Sequence, residues 1–105
     1  MTKNIREAAR VIRSKNAGPF ELTLDIIFRE RRYYDLFKRN NLVDTDLLRR
    51  LYRVGPEDIV GIVWFEPANA VKMTIRRPLA SGSPGDTDIY GAQQHAPLLG
   101  IFFED

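Results

Sequence analysis

Two polar segments hold the side chains of this sequence best equipped for chemistry. The first, Arg13-Ser14-Lys15-Asn16-Ala17-Gly18-Pro19, reads as a loop squeezed between two apolar stretches. Gly18 gives its backbone freedom. Ser14, Lys15 and Asn16 offer a hydroxyl, an ammonium and an amide able to orient a carboxylate or a phosphate, with Arg13 as a second cation. The bland alternative is a hairpin-like connection whose polar residues face water.

The second segment is Ser81-Gly82-Ser83-Pro84-Gly85-Asp86-Thr87-Asp88, continued by Ile89-Tyr90-Gly91-Ala92-Gln93-Gln94-His95. Its glycines and the hydroxyls of Ser83 and Thr87 suit an anion, and Gln94 adds an amide, but the Gly-Lys-Ser/Thr ending of a phosphate-binding P-loop is absent. Asp86 and Asp88 lie one residue apart, a spacing that suits a hard cation, yet the other ligands of an EF-hand are missing, so no metal is expected. Their charge repels a carboxylate unless they cap loop amides or hold Arg13 and Lys15 in place. His95 is the only histidine, which excludes a multi-histidine zinc site. Its imidazole is of the type that can act as a general acid or base, and with Lys15 it forms the candidate catalytic pair. A Ser83, Asp88 and His95 triad can be written on paper, but triads are recognised by geometry and no Gly-x-Ser-x-Gly elbow is present. The expectation is that the two segments meet at one end of a sheet and share an anion-accepting surface.

Composition narrows the setting. The chain has 105 residues, the size of one domain, with 44% hydrophobic and 29% charged residues, close to globular averages. Its 16 basic and 14 acidic side chains leave a formal charge of only +2, too little to single out a nucleic acid as partner. Arginines cluster at Arg29, Arg31 and Arg32 and at Arg49, Arg50 and Arg53, but Glu30, Asp35, Asp44 and Asp46 are interleaved, the pattern of a solvated mixed-charge face. There is no cysteine, so disulfides, thiolate ligands and cysteine nucleophiles are out. No apolar run nears the roughly 20 residues of a membrane span, and the first residues lack the apolar core of a signal peptide, so the expected location is the cytoplasm. No cofactor motif is present.

The elements that must position these residues follow from periodicity. Asn4 and Glu7 suit a capping pair for a single helical turn, and strand character begins around Val11 and Ile12. Phe20, Leu22, Leu24, Ile26 and Phe28 alternate with mostly polar neighbours, which predicts a strand with one buried face. Tyr33, Tyr34, Leu36 and Phe37 make the apolar stripe of a helix over Glu30 to Arg39. A second helix, capped by Asp44 or Thr45, buries Leu47, Leu48, Leu51 and Tyr52 and stops at Gly55-Pro56. These aromatics read as core rather than as a base-stacking platform. The near-continuous apolar run Ile59 to Phe65 predicts a central strand, joined through Glu66-Pro67-Ala68-Asn69 to a half-buried strand carrying Val71, Met73 and Ile75. Leu98 to Phe103 predicts a last strand. Together these give a single α+β domain over residues 1–105, with a mainly antiparallel sheet and two helices on one face; a ferredoxin-like variant is compatible with it.

At the two polar segments the sequence also resembles a known family. Val11 to Thr23, reading V-I-R-S-K-N-A-G-P-F-E-L-T, and Ser81 to Asp88 with Tyr90-Gly91-Ala92-Gln93-Gln94-His95-Ala96-Pro97-Leu98 resemble a small bacterial domain-of-unknown-function family, DUF4387, over nearly the whole chain. That family is similar to the C-terminal domain of acyclic terpene utilisation proteins and looks like its free-standing counterpart. The terpene-utilisation domain carries an Arg-Ser-Gly-Asp-Lys-Gly type of loop where this chain has Arg13-Ser14-Lys15-Asn16-Ala17-Gly18, so here the aspartate is missing and the lysine is displaced. The resemblance implies a small subunit acting with a larger acyclic-terpene-utilisation-like protein. The implied chemistry is breakdown of branched or carboxylated acids or their thioesters, by hydration or elimination. The other reading is a non-catalytic module that binds a small carboxylate or acyl ligand. Whether copies of the chain pair with each other is left open.

Overall fold

The computed structural model describes residues 1–76 and 95–105. Its strands are β1 (Thr2–Asn4), β2 (Ala9–Gly18), β3 (Glu21–Phe28), β4 (Ile59–Phe65), β5 (Ala70–Arg76) and β6 (Phe102–Glu104), and its helices α1 (Arg31–Arg39) and α2 (Thr45–Tyr52) lie between β3 and β4. The main sheet runs β2-β3-β5-β4 with every neighbouring pair antiparallel, and β1 pairs with β6 in a separate ribbon. Because β3 and β4 are both antiparallel to β5, they are parallel to each other, and the helices join them with β5 inserted between. This split β-α-β unit is what a ferredoxin-like sheet contains. The fourth strand differs, since β2 enters by a hairpin and not by a second helical crossover. Gly18, at φ +142°, allows the chain to reverse over Pro19 and Phe20.

Alternation along β3 decides which face is covered. Leu22, Leu24, Ile26 and Phe28 are buried, as are Val71, Met73 and Ile75 on β5, and Ile62 and Trp64 of β4 pair with Met73 and Val71 on the same side. The helices lie on this inner face. Rings from both layers meet there: Phe37 stands 4.8 Å from Phe28 and 5.0 Å from Phe103, and Tyr34 stacks edge-on against Trp64 at 5.6 Å. Aromatic pairs at these spacings add about 0.5–1.5 kcal/mol each beyond the area they bury. Local signals agree with the layout. The Asp44 carboxylate accepts from the Leu47 N–H at 2.9 Å to cap α2, and Asn4 and Glu7 form the reciprocal cap of the 3-10 turn Ile5–Glu7.

Three sequence expectations are corrected. The segment Arg13 to Gly18 is not a loop but the second half of β2, and only Pro19 and Phe20 turn. Its polar residues hid the period, because on an edge strand both faces near the end of a sheet tolerate polar groups. The run Ile59 to Phe65 is an edge strand, not a central one: Ile59, Ile62 and Trp64 are half-buried while Val60, Val63 and Phe65 stay exposed. The last strand is confined to Phe102–Glu104 and pairs with β1, because Ala96–Gly100 is a 3-10 turn that seats Leu98 in the core. The expected Ser81 to Asp88 loop lies outside the described residues.

The hydroxyl of Tyr34 is buried and meets no hydrogen-bond partner among the described residues. An unsatisfied buried hydroxyl costs about 1–3 kcal/mol, so Tyr34→Phe is expected to raise unfolding free energy by about 1 kcal/mol in a denaturant titration. A loss of stability would contradict this.

At the closing ribbon, the Lys3 ammonium donates to the Asp105 carboxylate at 2.9 Å and Arg32 approaches the same group at 3.2 Å. The hydrogen bond from Lys3 is the main cause holding Asp105 below the ordinary carboxylate range. A carboxyl depressed in the folded state gives stability that is fully present above its unfolded value and is lost as pH falls through its folded one. Thermal midpoints should therefore fall on the acid side of pH 4, and Lys3→Met should shrink Asp105's share of that fall. An acid limb that is identical in both proteins would show the pair to be idle.

Candidate functional site

The pleat of β2 sorts the candidates of the first segment onto two faces. Ser14 and Asn16 pair with Leu24 and Leu22, so they share the helix-covered side with Ile12, and Ser14 is buried. Arg13 and Lys15 pair with Asp25 and Thr23 and stand on the opposite, open side. Gly18 serves the hairpin, where its left-handed φ would strain any L side chain.

Of the second segment, Ser83, Asp86, Thr87, Asp88 and Gln94 lie outside the described residues. His95 is half-buried and opens the 3-10 turn Ala96–Gly100, its carbonyl accepting from the Leu98 N–H at 2.9 Å. That turn packs against α2 and the Ile5–Glu7 turn, in the layer over the inner face. Lys15 stands on the other side of the sheet.

What the fold assembles around Arg13 and Lys15 is the outer face, and strand register gives its rows. Val11, Ile27, Ala70 and Phe65 form one row; Arg13, Asp25, Lys72 and Val63 the next; Lys15, Thr23, Thr74 and Gly61 a third; Glu21 and Arg76 close it. The Arg13 Nε donates to the Asp25 carboxylate at 3.1 Å, and Arg76 donates to the Glu57 carbonyl at 3.1 Å. Lys15 and Lys72 make no ion pair among the described residues. Gly61 leaves open space at the end of the third row. The row thus has two threonines, Thr23 buried and Thr74 half-buried, between an ammonium with no ion pair among the described residues and a gap.

This arrangement supplies positive charge and hydroxyl donors, the means to hold a carboxylate or phosphate. It supplies no imidazole, and no group of three His, Asp or Glu is placed to bind a metal among the described residues. Lys72, Thr74 and Arg76 share this face but were not among the sequence candidates, although they alternate with Val71, Met73 and Ile75; reading the polar half of that alternation as a surface would have brought them in. The arginine run of α2 behaves as expected of a solvated face: Arg49, Arg50 and Arg53 border an open groove with Asp46, 3.8 Å from Arg49.

None of the helices among the described residues is long and apolar enough to cross a membrane. Comparison with curated proteins and with solved structures finds no match. A family model described as a domain of unknown function, DUF4387, matches residues 5–102, a span that takes in both polar segments and every element from the first 3-10 turn to the start of β6. The chain belongs to the DUF4387 family.

Proposed function

We propose that this chain is a bacterial, cytoplasmic small subunit that completes the active site of a larger acyclic-terpene-utilisation-like protein, which breaks down branched or carboxylated acids or their thioesters by hydration or elimination. The observation that carries this reading is the outer face, where Lys15 and Lys72, which make no ion pair among the described residues, flank Thr74 and the buried Thr23, with His95 on the other side of the sheet. Hydration or elimination next to a carboxyl needs a group that holds the carboxylate and a base that moves the α-proton. The face offers the first and leaves the second to the partner. The same feature favours a second reading, a non-catalytic module that binds a small carboxylate by itself.

Each protein purified alone and the two mixed, assayed for hydration of a branched unsaturated acid or thioester, separates these readings. Turnover only in the mixture is expected. Lys15→Met should leave the thermal midpoint nearly unchanged, since exposed substitutions cost within about 0.5 kcal/mol, while joint activity falls at least about tenfold. Full turnover by the small chain alone, or a Lys15→Met mixture as active as the wild type, defeats the subunit reading. Carboxylate binding by the lone chain without joint activity establishes the binding module instead.

A further inference from the structure

We infer that the outer face of the sheet closes on a second copy of this chain, the two sheets packed face to face about a two-fold axis parallel to the strands and lying between β3 and β5. No element among the described residues covers this face; Thr23 near its middle is buried, while Val63 and Phe65 at its margin are 58% and 55% exposed. Its charges run in stripes: Arg13 and Lys15 on β2, Glu21 and Asp25 on β3, Lys72 and Arg76 on β5, none on β4. An axis parallel to the strands keeps each row level and reverses strand order, so β3 meets β5 of the second copy and β2 meets β4.

The consequences follow row by row from the register. Asp25 meets the second copy's Lys72 and Glu21 meets its Arg76, each pair occurring twice by symmetry. Val11 meets Phe65 and Ile27 meets Ala70, giving the interface an apolar end. Arg13, already neutralised by Asp25 at 3.1 Å, lies over Val63. Lys15 lies over Gly61, where no side chain obstructs it. The other in-plane axis, perpendicular to the strands, sets β3 on β3 and β5 on β5 and so brings acids to acids and bases to bases. Pairing through the β4 edge centred on Ile62 is also disfavoured, because it sets Asp58 beside Glu66. Of these arrangements, complementary charge favours the axis parallel to the strands.

Size fits a modest interface. Four strands about 4.8 Å apart and seven residues long at about 3.3 Å each span about 19 by 23 Å, or about 900 Å² for two faces. That is just below the roughly 1,000 Å² at which stable specific interfaces begin, so a weak, reversible dimer is expected. Each copy brings Arg13, Lys15, Lys72 and Arg76 against Glu21 and Asp25, and this excess of positive charge leaves room for a carboxylate near Lys15 and the Gly61 gap. The pairing does not depend on the subunit reading: it is the state of the chain by itself, and the larger protein would have to displace the second copy to reach this face.

Analytical ultracentrifugation of the full chain across the micromolar range tests it. The wild type should pass from monomer to dimer. Val63→Lys, which opposes the second copy's Arg13, should weaken dimerisation at least about tenfold with an unchanged far-ultraviolet spectrum. Lys72→Asp and Asp25→Lys should each weaken it alone, and their equimolar mixture should recover the dimer, because both mismatched pairs become matched. If loss of the Arg13 contact unfolds Asp25→Lys, the Val63→Lys comparison decides alone. A wild type that stays monomeric throughout, a Val63→Lys chain that dimerises as the wild type does, or a monomer whose outer face is buried only by the larger protein overturns the inference.

Discussion

A slip of one residue between β2 and β3 would turn Arg13 and Lys15 into the core and push Ile12 and Ser14 to the open side. The register of that hairpin is thus the constraint on which the rest depends. Two features hold it: the two-residue reversal at Pro19 and Phe20, which needs the left-handed backbone of Gly18, and the unbroken burial of Leu22, Leu24, Ile26 and Phe28 against the helices. With β3 fixed, β5 is placed by pairing Val71, Met73 and Ile75 with Ile26, Leu24 and Leu22, and the outer rows are set at the same moment.

The covered face is closed from both ends of the chain. Phe37 of α1 touches Phe28 below it and Phe103 of β6 beside it, so the short β1-β6 ribbon is anchored into the same core as the helices. Leu98 and Ile101 add to that seal, and Ile101 accepts from the Ile5 N–H at 2.9 Å. Arg31, bonded to Asn69 and Glu66, ties α1 to the β4-β5 turn across the layer boundary. These polar ties are exposed and contribute little to stability. Their effect is to fix where the turn and the helix meet.

The open face has a different logic. Antiparallel sheets commonly leave one side to solvent, which explains its threonines, lysines and acids but not Val63 and Phe65 on an edge strand without a single charge. The two edges contrast: β2 carries Arg10, Arg13 and Lys15 and two register irregularities, devices that discourage strand addition, while β4 has one irregularity and none of the charges. Cations, hydroxyls and an apolar margin on one surface make it the part of the described molecule best suited to meet something else.

The sequence by itself determined much of the local structure, though it hid the second half of β2 and the Ala96–Gly100 turn. Leu22 to Phe28 alternates too regularly to be anything but a half-buried strand, Tyr33 to Phe37 repeats as a helix, and Asp44 and Asn4 announce caps the structure contains. The α+β class with both helices between strands followed from their order along the chain. What the tertiary structure decided was neighbourhood. Ile59 to Phe65 is as apolar as a central strand, yet the hairpin with β5 places it at the edge, because β5 is already taken on its other side by β3. Arg13, Ser14, Lys15 and Asn16 read as one polar cluster in one dimension, but a side-chain period of two divides them between opposite faces, and only strand pairing reveals that Lys15 belongs with Thr23, Thr74 and Gly61. Local propensity and burial act within a few residues and leave a trace in the sequence. Lateral pairing joins residues dozens of positions apart through backbone groups that every residue carries, so nothing in the side-chain types records it.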